Sequence, residues 1–66
     1  MKIQIDREAD ALYIRLTEGG IVESEEVRPG VILDFDAEGQ VVGVEMLKIS
    51  SRMSPEEMQS LHFATA

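Results

Sequence analysis

The chain has no cysteine, no tryptophan, one tyrosine, one histidine and two prolines in 66 residues. Without cysteine there is no disulfide to restrain the unfolded chain and no thiol nucleophile. That absence also fits a reducing compartment. Apolar runs are only a few residues long, too short for a membrane-spanning helix. A polar segment follows Met1 directly, with no charged-then-apolar leader, so the expected compartment is the cytoplasm. Basic residues are scarce: six Lys and Arg face thirteen Asp and Glu, for a net charge of -7. Nucleic acid and anionic membrane are therefore disfavoured as partners, because both need clustered cations. An acidic balance suits solubility, or a basic protein partner.

Sixty-six residues make one domain, residues 1–66. At that size apolar burial and chain ordering nearly cancel. With no disulfide and no evident metal cluster, association is the remaining common way to bury more surface. A homodimer is expected on that ground.

Side-chain alternation dominates the first 47 residues. In "KIQID", Ile3 and Ile5 share a face. "READA" reads as a loop. "LYIRLT" sets Leu12, Ile14 and Leu16 against Tyr13, Arg15 and Thr17. "EGG" is expected to be a hairpin turn, its glycines supplying positive φ. "IVESEEV" is acidic on both faces, which suits an edge strand, where charge blocks further pairing, or a strand bulged near Ser24. "RPG" makes a further turn. "VILDFD" and "QVVGVEML" follow as strands joined by "DAEG", with Gly39 expected in the left-handed region. The spacing predicts a mostly β (α+β) fold, an antiparallel β-meander of about five strands over 2–47.

The tail changes period. Ser54, Pro55 and Glu57 form a helix start with a capping box, and Met53 and Met58 have staple spacing. A C-terminal helix is expected over about 55–63, with Met58, Leu61 and His62 on its apolar side. About two turns do not survive alone in water. The helix must dock on the open face of its own sheet or on a second copy.

One stretch resembles a metal loop. "DFDAEGQVVGVE" follows the calcium pattern D-x-[DN]-x-[DN]-G-x₅-E except at Glu38. That pattern works between two helices, and both flanks here alternate as strands. The turn reading is preferred, and no cofactor is implied. Asp34, Asp36 and Glu45 are the alternative, a weak carboxylate metal or hydrolytic site. His62 has no nucleophile at a telling spacing. Off the main apolar stripe lie Tyr13, Ile32, Val41 and Leu47, a second patch suited to an interface. Glu23, Glu25, Glu26, Asp34 and Asp36 would steer a basic partner towards it.

The strings "DREADALYIRL" and "ESEEVRPGVILDFDAEGQVVGVEML", in that order, resemble the DUF2283 family, small bacterial proteins of unknown function. The resemblance covers residues 2 to about 47 and adds nothing from Ser50 onward. It rests on Asp10, Ala11, Leu12, Tyr13, Gly30, Asp34, Asp36, Gly39, Gly43 and Glu45. It implies a compact, mostly β domain and names no reaction. Through relatives encoded beside small toxin-like proteins, it implies an acidic partner covering a basic one. The expectation is a non-enzymatic interaction module, antitoxin-like in its acidity.

Overall fold

The computed structural model describes residues 1–65, and the side chains of residues 1–61. Five antiparallel strands form one sheet: β1 (Lys2–Asp6), β2 (Ala11–Arg15), β3 (Glu23–Arg28), β4 (Val31–Phe35) and β5 (Val41–Leu47). A 3-10 turn (Ile49–Ser51) leads to helix α1 (Pro55–Thr65). Strands, turns at Gly30 and Gly39, and the C-terminal helix all stand where alternation and capping put them.

The strand order is β1-β2-β5-β4-β3. The sequential order of a simple meander is thus corrected at one point: β3 does not pair with β2. Three hairpin-linked strands, β3 to β5, turn back so that β5 inserts beside β2, a Greek-key arrangement. Charge explains the order. β5 carries one ionisable side chain, Glu45, and takes the centre, whereas β3 carries Glu23, Glu25, Glu26 and Arg28 and takes an edge. "EGG" is therefore no hairpin turn. It belongs to a crossover along the end of the sheet, and neither Gly19 nor Gly20 has positive φ. Arg15 organises that crossover: its Nε donates to the Thr17 carbonyl at 2.9 Å and its Nη2 to the Gly19 carbonyl. Val22 N–H then bonds the Phe35 carbonyl, delivering the chain to the far edge.

Pairing register assigns the faces. One level of the sheet runs Ile3–Ile14–Val44–Leu33–Glu25, and the next runs Ile5–Leu12–Met46–Val31. On β1, β2, β4 and β5 this face is apolar throughout; acids enter only at β3. Its cover is partial. Ala11, Val42 and Ile49 are the buried apolar residues among those described, and Ile3 remains 40% exposed. Helix α1 meets the sheet chiefly at β1, beside Ile5, with Met58 and Ile49 lining the cleft between them. His62, expected on the apolar side of this helix, lies outside the residues whose side chains are described.

The molecule is a thin slab of 38 × 25 × 17 Å. Its radius of gyration is 12.6 Å, against about 11 Å for a compact chain of this length. It exposes 4836 Å², where a compact monomer of its mass exposes about 4,200 Å².

Candidate functional site

The opposite face of the sheet centres on Asp34. From β4 it looks across Gly43 of β5, its register partner, to Tyr13 of β2. Tyr13 Oη donates to Asp34 Oδ2 at 2.9 Å, and Ser24 Oγ of β3 donates to Asp34 Oδ1 at 2.6 Å. One carboxylate thus ties β2, β3 and β4 together, reaching β2 across β5. Asp34 is only 8% exposed, and both oxygens are satisfied, which is what burial of a carboxylate demands.

Gly43 makes the crossing feasible. A Cβ there would stand 2.7 Å from Asp34 Oδ2 and 3.0 Å from Tyr13 Oη. No side chain larger than hydrogen leaves room for the bond between them. The phenol of Tyr13 is pushed above its ordinary value of 10.0, first by burial, then by the hydrogen bond to Asp34 and its charge, with Arg15 acting in the opposite sense.

Two other carboxylates work on backbone. Asp10 adopts φ 53, a left-handed conformation that Asp tolerates better than most residues. Its Oδ1 accepts from Ser50 N–H at 3.1 Å and its Oδ2 from Ser50 Oγ at 2.6 Å, while its carbonyl accepts from Ile49 N–H. The loop between β1 and β2 thereby latches the segment leading to α1. Asp36 Oδ1 accepts from Glu38 N–H and Gln40 N–H at 2.9 and 3.0 Å, closing the β4–β5 hairpin with Gly39 at φ 79. The calcium-like string is therefore a hairpin, as the alternation of its flanks implies. Asp34 belongs to the sheet face, Asp36 to the turn, and Glu45 stands beside Tyr13 and Ile32. No group of three or more potential metal-ligating side chains occurs among the described residues.

These positions account for seven of the ten residues on which the family resemblance rests: Asp10, Tyr13, Gly30, Asp34, Asp36, Gly39 and Gly43. The DUF2283 family, described as a protein of unknown function, matches residues 2–50. The chain belongs to the DUF2283 family. No curated protein and no solved structure matches it. In this DUF2283 domain, Tyr13, Asp34 and Gly43 form the cross-sheet tie, Asp10 the tail latch, and Gly30 (φ 78), Asp36 and Gly39 the two hairpin turns.

The second apolar patch is smaller than alternation implied. Tyr13, Ile32 and Leu47 share the Asp34 face, but a bulge between the Asp34 and Phe35 pairs breaks the parity of β5. Val41 pairs with Phe35 and leaves the patch. Glu23, Glu25 and Glu26 are exposed on the free edge. The bulge in this strand falls between Glu26 and Arg28, not near Ser24. Sequence reasoning passed over Ser24 as a ligand of Asp34. The available signal was a lone small hydroxyl within an acidic strand. No helix among the described residues is long and apolar enough to cross a membrane.

Proposed function

We propose that this DUF2283 protein is a non-enzymatic protein-interaction module. The observation that supports it most is the half-buried apolar face of β1, β2, β5 and β4, which among the described residues α1 meets chiefly at the β1 end. A contiguous apolar surface of this kind is costly in water and marks an interface. The hydroxyls of Tyr13 and Ser24 each donate to the Asp34 carboxylate and hold strands in register. Beside the apolar face, the exposed Glu23 and Glu25, paired with Phe35 and Leu33, supply a negative rim that would speed encounter with a basic partner.

Photo-crosslinking side chains placed at Ile3 and Leu33 in the native cell should yield discrete adducts, and one at Glu8 should not. Face positions that capture nothing in a folded protein refute the proposal. Reversing the acids of β3, with Glu23→Lys, Glu25→Lys and Glu26→Lys together, changes the net charge from -7 to -1, each reversal adding two. Adducts with basic proteins should then fall at low salt, where steering is strongest.

A further inference from the structure

We infer that the occupant of the apolar face is a second copy of this chain, stacked face to face with its two-fold axis along β5. The inference rests on reading that face as an interaction surface. Three observations identify the copy.

The first is area. Each protomer exposes 4836 Å², about 650 Å² more than a compact chain of its mass. That surplus approaches the roughly 800 Å² each partner contributes to a standard interface. The shortest dimension of the protomer is 17 Å. A second sheet at about 10 Å supplies the missing layer.

The second is chemistry. The central level Ile14–Val44–Leu33 is apolar and carries no directional group, so it complements itself without paired charges. A domain with so few buried apolar side chains gains most of its core from the partner. A copy of itself is present whenever the chain is made.

The third is placement of charge. β5 is the middle strand, so rotation about it lays the acidic β3 over the partner's β1, not over its own counterpart. Leu33 of one protomer then faces Ile14 of the other, Val44 lies over Val44, and Glu25 reaches the rim beside Ile3. The perpendicular in-plane axis would stack β3 on β3 and set Glu23 and Glu25 against themselves, which like charges disfavour.

Sedimentation of the full chain should give a particle of about twice 7.3 kDa, and its thermal midpoint should rise with protein concentration. In a mixed sample of labelled and unlabelled chain, isotope-filtered NMR should show methyl contacts between Leu33 of one protomer and Ile14 of the other. A monomer with a concentration-independent midpoint overturns the inference. So does a dimer whose filtered contacts join Leu33 to Leu33, or run along the β1 or β3 edge. These measurements use the unaltered protein, so no variant has to fold. If the chain is monomeric and Leu33 still crosslinks a different protein in cells, the copy is wrong and the interaction module stands.

Discussion

Replacement of Gly43 by alanine tests the cross-sheet tie through the sign of its effect. In a strand with free space, Gly→Ala stabilises by about 0.5–1 kcal/mol, because alanine loses less backbone freedom on folding. Here the new methyl would sit 2.7 Å from Asp34 Oδ2 and 3.3 Å from Asp34 Cβ, with Tyr13 Oη at 3.0 Å on its other side. Asp34 cannot swing away freely, since Ser24 holds its second oxygen at 2.6 Å. The 2.9 Å bond from Tyr13 is the one that gives way. A hydrogen bond to a charged group contributes about 1.5–3 kcal/mol. Less the alanine gain, Gly43→Ala should destabilise by about 1–2 kcal/mol. Urea unfolding followed by circular dichroism reads this, at one fixed protein concentration so that association does not intrude. The same change in a Tyr13→Phe background should cost less, because one of the crowded atoms is gone. A variant as stable as the parent or more so, with the Tyr13 phenol unmoved, would falsify the account of Gly43.

Tyr13 is the only tyrosine and there is no tryptophan, so phenolate absorbance reports it alone. Its midpoint should lie above 10.0, and Asp34→Asn should bring it back towards that value; an unshifted midpoint in the parent removes the tie. Because the folded value is raised, the stability linked to this phenol is complete below 10.0 and is lost as pH climbs through the folded value. Asp10→Ala loses both Ser50 contacts and places a Cβ-bearing residue without a local acceptor at φ 53; it should cost about 1–3 kcal/mol and speed amide exchange at Ile49 and Ser50. Unchanged exchange there means that the latch does not hold the tail. At the helix start, Glu57 N–H donates to Ser54 Oγ at 3.1 Å and Ser54 N–H to Glu57 Oε1 at 3.0 Å. Those bonds, the Ser54 backbone first, hold the Glu57 carboxyl below its usual 4.5. The associated helix stability is therefore present above 4.5 and lost as pH falls through the folded value. Ser54→Ala should fray the first turn of α1 and let the Glu57 carboxyl titrate nearer 4.5 by carbon NMR; a Glu57 titration indifferent to Ser54 argues against the capping box.

Much of this molecule is local in origin. The two hairpins follow from Pro29-Gly30 and from Asp36 with Gly39, because turn geometry depends on residues within one turn of chain. The capping box is local for the same reason. The Asp34 site was half visible: its carboxylate stood out, but as a metal candidate. Its partners Tyr13 and Ser24 are 21 and 10 residues away, and no spacing rule links them. The place of Gly43 between Asp34 and Tyr13 is set by the pairing register of β2, β4 and β5.

The sequence by itself determined the strands, the turns at Gly30 and Gly39, the apolar face and the acidity of β3, since alternation and turn chemistry act over a few residues. Tertiary structure alone decided that β5 would part β2 from the later strands, that Val41 would change faces, and that α1 would meet the sheet chiefly at β1. Those outcomes depend on which distant strands compete for the centre of the sheet. That competition is settled by total burial and charge, which no short window of residues contains.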